Sequence, residues 1–257
     1  MKDADMSRTI SWFSCGAASA VATKLIPEAL PVYCETGAEH PDNARFMTDC
    51  EAWFGRSVER IRSEDYFDTW TLWEKRRWLS GPEGALCTVE LKVVPRLIFQ
   101  KPDDIHVFGY TADGPDVARA KRLRETYPEM QIRTPLIDRG LTKAACLAMV
   151  EKAGIALPPM YAMGFSNNNC IPCVKATSPS YWALIRQRFP AQFERMADLS
   201  RRLEVRLARL NGERIFIDEI PTDYPVTDAI APSCDFLCHI AEQELSSSEH
   251  KPKEPTP

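Results

Sequence analysis

No stretch of this sequence approaches the roughly 18 consecutive apolar residues of a membrane-crossing helix, and its start, Met-Lys-Asp-Ala-Asp-Met-Ser-Arg, contains no apolar signal core. The expectation is a soluble, cytoplasmic protein without a membrane partner. Excess charge is also missing: the net value is −4 over 257 residues. That excludes binding to nucleic acid through a uniformly basic surface and leaves only a local basic patch. Cysteine is too sparse for the disulfide framework of a small secreted scaffold, and its count of nine is odd, so at least one is unpaired. There is no internal repeat, and no Gly-Lys-Ser/Thr ending of a Walker A loop. What remains is a chain long enough to bury a full core.

Short apolar runs alternate with helical ones. Thr9–Ser14, Leu30–Cys34, Val58–Ile61, Asp104–Tyr110 and Gln131–Thr134 read as strands. Ala17–Ile26, Pro41–Phe54, Val117–Thr126 and Thr142–Ala153 read as helices, closed in two cases by Pro27 and Gly154. This order predicts an α/β fold, a parallel sheet with helices on both faces, whose ligands sit at the carboxyl ends of the strands. Residues 1–155 form the expected sheet domain and 156–245 a helical, cysteine-rich region. Within the latter, Ser180–Leu210 is predicted helical with a break at Phe189-Pro190, and Gly212–Pro225 irregular. Residues 246–257 have the composition of a disordered tail.

The chemistry is concentrated in a few places. Cys170-Ile171-Pro172-Cys173 sets two thiols at a spacing that suits a soft metal centre or a dithiol. Cys87 stands alone in Cys-Thr-Val-Glu-Leu-Lys, and Cys234-x-x-x-Cys238-His239 comes late. Ser14-Cys15-Gly16-Ala17-Ala18-Ser19 is a small-residue turn between a strand and a helix. Its backbone N–H groups and serine hydroxyls suit an anion, although a tight connection needs nothing more. Glu35-Thr36-Gly37-Ala38-Glu39-His40-Pro41 places acid, hydroxyl and imidazole just past the second strand.

Taken in order, these segments resemble the PP-loop nucleotide-binding fold, and within it the phosphoadenosine phosphosulfate (PAPS) reductase family. The resemblance spans roughly residues 10–175. It rests on the serine loop, Glu35-Thr36-Gly37, Cys87-x-x-x-x-Lys92-x-x-Pro95-x-Leu97, Gly109-Tyr110 with Arg119-Ala120, Thr134-Pro135-Leu136-Ile137-Asp138, and Gly164-Phe165 before the C-x-x-C. It implies an adenine nucleotide, PAPS, its unphosphorylated analogue APS, or ATP, bound by Ser14, Cys15, Gly16, Ala17, Ser19, Glu35, Thr36, Gly37, Gly109 and Arg119. It implies a [4Fe–4S] cluster on Cys87, Cys170 and Cys173, with Cys238 or Cys234 as fourth ligand, or an open iron. It also implies that Cys234 or Cys238 attacks the sulfur of the nucleotide and is regenerated by a thiol reductant. The departures are specific: Ala18 replaces the acid of ATP-splitting loops, Thr88 replaces a second cysteine, Gly109-Tyr110-Thr111 replaces glycine-x-arginine, and the family's Glu-Cys-Gly-Leu-His string is absent.

Alternatives accompany this reading. Cys170, Cys173, Cys234 and Cys238 have the ligand number of a structural zinc site. Cys15, Cys34, Cys50 and Cys146 read as core or turn residues, Cys15 also lying in the serine loop. Lys92 and Lys175 are candidates for the nucleotide or as counter-charges to a cluster, His40 is an acid–base candidate, and His106 reads as a core histidine. Trp70, Trp73 and Trp78 around Lys75-Arg76-Arg77 fit a packed helix or a platform for nucleic acid. The functions that follow are a sulfonucleotide reductase, an ATP-dependent sulfurtransferase acting on nucleic acid, or a non-catalytic nucleotide-binding protein.

Overall fold

The computed structural model describes residues 7–81 and 84–226; Cys234, Cys238, His239 and the expected tail lie outside them. The first half alternates as the pattern predicts: β1 (Thr9–Trp12), α1 (Ala17–Lys24), β2 (Leu30–Glu35), α2 (Asn43–Phe54) and β3 (Glu59–Arg62). Next come α3 (Thr69–Arg76) and a minimal hairpin of β4 (Ser80–Gly81) with β5 (Gly84–Ala85). A helical stretch follows through α4 (Leu86–Thr88), a π turn (Val89–Val93) and α5 (Val94–Phe99). Pro95 has no N–H to give the carbonyl of Leu91, which favours a widened turn at this point. Then come β6 (Ile105–Val107), α6 (Gly114–Thr126), β7 (Gln131–Arg133), α7 (Pro135–Asp138) and α8 (Lys143–Lys152).

β1, β2, β3, β6 and β7 form a five-stranded sheet in the order β3-β2-β1-β6-β7, every neighbouring pair parallel. Successive side chains of β1 face opposite ways. Ser11 turns toward α1, its hydroxyl 2.8 Å from that of Thr23, while Trp12 packs edge-on to Phe99 of α5 on the other face. Alanines at 17, 20 and 22 are buried and let α1 lie close to the sheet. The expected α/β class, with helices on both faces, is the fold. From β1 the chain winds outward to β3, then crosses back to the other side of β1. The loops leaving β1 and β6 therefore diverge and open a crevice at the carboxyl edge.

A second core lies beside the sheet domain. It is built by α9 (Pro159–Ala162), α10 (Pro179–Arg188), α11 (Pro190–Arg202) and a hairpin of β8 (Ala208–Leu210) with β9 (Glu213–Ile215). Trp70, Trp73, Leu79 and Ala85 join this core and not that of the sheet, so residues from α3 to β5 cross the boundary expected near 155. The long helix expected to reach Leu210 ends at Arg202. Glu204 takes φ +58°, and the strands turn through Asn211 and Gly212 at φ +50° and +88°. Two consecutive left-handed residues, Asn then Gly, match the twist of a two-residue hairpin. Among the described residues no helix is long and apolar enough to cross a membrane.

Candidate functional site

At the carboxyl ends of β1, β2 and β6 lies a cleft of about 570 Å³, within the range of roughly 300–1,000 Å³ common for small-molecule sites. The serine loop forms its floor. The Ser14 N–H and hydroxyl both donate to Ser19 Oγ at 3.1 Å, and Ser19 Oγ donates to the Gly16 carbonyl at 2.9 Å. Ser14, Gly16, Ala18 and Ser19 line the cleft. Ala17 is buried, and its N–H, the first of α1, donates to the Tyr161 hydroxyl at 3.2 Å. An anion arriving at this helix start, where the dipole favours it, would share or displace that hydroxyl. Cys15 contributes backbone only: it adopts φ +55°, its side chain is buried, and burial pushes the thiol pKa up.

Gly109 is in the cleft for a steric reason. A Cβ there would stand 2.8 Å from the N and Cα of Ser19, so the end of β6 can cross the first turn of α1 only as glycine. Arg119 also lines the cleft, its guanidinium 2.6 Å from Asp116 Oδ1. Asp116 in turn accepts from the N–H and hydroxyl of Thr111 at 3.0 and 2.8 Å, which fixes the loop after β6.

Glu35, Thr36 and Gly37 are placed differently. Glu35 is 3.7 Å from Arg60 of β3. The acid that organises the turn and lines the cleft is Glu39. One of its oxygens accepts from the Thr36 N–H and hydroxyl at 2.8 and 2.6 Å, the other from the Ala38 N–H at 3.0 Å. Gly37, at φ +65°, lies against the start of α3, where a Cβ would meet Asp68 Cβ at 2.6 Å. His40 Nδ1 accepts from the Asp42 N–H at 3.1 Å and so ties the entry to α2.

Three cleft residues carried no signal in the sequence reading. Tyr161 is one. Lys143, the first residue of α8, extends its ammonium to the Ser166 carbonyl and Asn167 Oδ1, and burial holds its pKa below the usual lysine value. Asn168 donates from Nδ2 to the Cys15 carbonyl at 2.7 Å and to Asn43 Oδ1 at 2.8 Å. Its Oδ1 has no partner among the described residues although the residue is only 9% exposed, which leaves an acceptor for a ligand N–H or O–H.

Cys87, Cys170 and Cys173 line one small cavity with Lys92, Lys175 and Thr36. The C-x-x-C loop is pinned from three sides. The Ile171 N–H donates to the Ala38 carbonyl at 2.7 Å, the Cys173 N–H to the Tyr181 hydroxyl at 2.6 Å, and Cys170 Sγ lies 3.2 Å from Thr36 Oγ1. Cys87 comes from the turn that leads into the π segment, and Lys175 Nζ donates to Thr88 Oγ1 beside it at 3.3 Å. No group of three or more His, Cys, Asp or Glu side chains among the described residues is gathered tightly enough for a metal ion. The two observations differ in what they demand. A single ion needs every sulfur about 2.3 Å from one point, whereas a cluster distributes its thiolates over separate irons. The void measures about 10 Å³, the size of one water, so a cluster would have to part the Cys87 turn from the C-x-x-C loop. The lining supplies thiols, the ligand type a cluster takes, but three of them and around a void that does not hold one as it stands.

The remaining candidates are structural. Burial raises the thiol pKa of Cys50 to about 12 and of Cys146 to about 11, so both remain protonated core residues, as expected. Cys34 is half-buried, and its thiol donates to the Lys92 carbonyl at 3.9 Å. His106 accepts from the Trp12 indole N–H at 3.1 Å, and burial with the nearby Arg96 charge lowers its pKa to about 4. Trp70 and Trp73 are buried in the second core and offer no platform to nucleic acid.

No protein-family model matches this sequence, and no curated protein does. Among solved structures, the phosphate complex of phosphoadenylyl-sulfate (PAPS) reductase from Candida auris is similar over 64% of this chain and 80% of its own, with 11% identity and a TM-score of 0.44.

Proposed function

We propose that this chain binds an adenine nucleotide in the cleft and performs sulfur chemistry on it beside an iron–sulfur centre, as a PAPS-reductase-like enzyme. One observation carries the reading: Cys170 and Lys92 line both the nucleotide-sized cleft and the cavity of the three thiols. A ligand in the first is thereby next to the second. The serine loop and the start of α1 receive the phosphate, Lys143 and Arg119 supply charge to it, and Asn168 Oδ1 accepts from a nucleotide hydroxyl or amine. Cys87, Cys170 and Cys173 hold the cluster, with Lys92 and Lys175 as its counter-charges. A [4Fe–4S] cluster held there would supply redox-active iron.

In the reduction, the thiolate of Cys234 or Cys238 bonds to the sulfonyl sulfur. The bond from that sulfur to the phosphate oxygen breaks, and its electron pair leaves on the nucleotide. A thiol of an external dithiol reductant then attacks the cysteine sulfur and releases sulfite, and the second thiol of the reductant frees the cysteine. The missing acid at Ala18, which lines the cleft, supports a nucleotide bound without splitting ATP.

The test is substrate choice. Anaerobically prepared protein is given APS, PAPS or ATP with a reduced dithiol protein, and sulfite and pyrophosphate are measured. Sulfite from a sulfonucleotide supports the reading. Pyrophosphate from ATP, dependent on added tRNA or DNA, replaces it with the sulfurtransferase.

A further inference from the structure

The serine hydroxyls at the start of α1 are turned inward. Ser14 gives its hydroxyl proton to Ser19 Oγ, and Ser19 gives its own to the Gly16 carbonyl. Tyr161 is placed the other way. A phenol carries one proton and two lone pairs, and toward the Ala17 N–H, 3.2 Å away, its oxygen can only accept. The Tyr161 proton has no acceptor among the described residues. Of the three hydroxyls gathered at this helix start, Tyr161 thus keeps its proton for a ligand, and it lines the cleft.

Its place is well determined. Pro158 and Pro159 restrict the chain where it enters α9, and Met160, next to Tyr161, is buried in the second core. The Gly164 N–H donates to the Tyr161 carbonyl at 3.1 Å. The ring packs against the core of the sheet domain, with the Lys143 ammonium 5.8 Å from its centroid. A Cβ on Gly16 would stand 3.5 Å from the phenol oxygen, so the hydroxyl lies directly on the serine loop. The helix dipole and the Ala17 N–H polarise it, which strengthens it as a donor to an anion. A second, independent group points to a ligand at the same loop. Asn168 is buried, and its Nδ2 is spent on the Cys15 carbonyl, which only accepts, so the unpartnered Oδ1 is an acceptor. A phosphate carried on a sugar supplies both an anion for Tyr161 and a hydroxyl for Asn168.

We infer that Tyr161 is the hydroxyl that recognises the ligand's phosphate. Its oxygen stays on the Ala17 N–H while its proton goes to a phosphate oxygen, so a residue of the second core completes the anion seat of the first. The inference rests on the nucleotide reading above and involves no metal centre. Were the hydroxyl a stopper that the anion displaces, removing it would tighten binding; the sign of the effect therefore decides.

The experiment titrates the full chain, as wild type and Tyr161→Phe, with AMP and with adenosine, which lacks the phosphate. Tyr161→Phe raises the Kd for AMP about tenfold, the loss of one charge-assisted hydrogen bond, and leaves adenosine binding unchanged. An AMP Kd that is unchanged or lower overturns the inference, as does an equal loss for both ligands, which marks a structural role. In either case the nucleotide reading stands. A wild type that binds neither ligand overturns that reading and the inference with it. Should Tyr161→Phe fail to fold, wild-type protein carrying 3-fluorotyrosine at 161 decides alone. Its fluorine resonance shifts with AMP and much less with adenosine, and equal shifts or none overturn the inference.

Discussion

Gly109 is constrained by its neighbours' backbone. A methyl group there would overlap the main chain of Ser19, which cannot rotate away as a side chain would. Gly109→Ala should destabilise the protein by about 1–3 kcal/mol, as overpacking does, and weaken nucleotide binding by displacing the serine loop. Denaturant titration with a parallel binding isotherm checks both. Lys143 is the opposite case, a charge kept half-dry in the cleft. Lys143→Met should raise the nucleotide Kd by at least about tenfold, the loss of one charge-assisted hydrogen bond, while folding stability changes little. Isothermal titration measures it. His106 is a third. Its native pKa is about 4 against 6.5 for an exposed imidazole, so the folded state resists taking up the proton that the unfolded chain binds. The associated stability is complete above pH 6.5 and is lost as pH falls toward 4. The carboxylates held low, Glu28, Asp42 and Asp104, have ordinary values of 4.5 or below and act in a more acid range. The thermal unfolding temperature should therefore fall between pH 6.5 and 5 in the wild type and much less in His106→Gln.

Among the elements, those with local signals were legible. The alternation of β1, α1, β2 and α2 appears in short windows, and Pro and Gly mark the ends. The hairpin of β8 and β9 was missed because Leu203–Leu210 continues the composition of α11, although Asn211-Gly212 is itself a strong turn signal. Thr69 and Trp73 of α3 line the thiol cavity but were legible only as core spacing, since the thiols come from positions 87, 170 and 173. Glu39 displaced Glu35 for a related reason: the strand end aims Glu35 at Arg60, and only the turn brings Glu39 onto the Thr36 and Ala38 N–H groups. The C-x-x-C loop and the Cys87 turn now enclose a void of about 10 Å³. If a cluster holds them together in the native state and not in the unfolded one, the loaded protein gains stability by mass action. Its anaerobic unfolding temperature should exceed that of chelator-stripped protein by several degrees, and identical temperatures would count against the cluster.

Across the whole molecule, the sheet order makes the crevice and the second core brings the thiols to its rim. The alternation along the chain placed the serine loop at the cleft, because strand ends in an α/β sheet gather on one edge; the shared cavity of Cys87, Cys170 and Cys173 depends on the second core. The alternation did not anticipate Tyr161, Lys143 or Asn168, whose places depend on how the second core docks against the first. The most direct measurement is iron, sulfide and zinc analysis with an absorbance spectrum, on full-length protein purified without oxygen, for wild type and Cys170→Ala. A brown wild type with iron and sulfide in equal amounts, both lost in Cys170→Ala, is the predicted result. A colourless wild type, with stoichiometric zinc or with no metal, would contradict it.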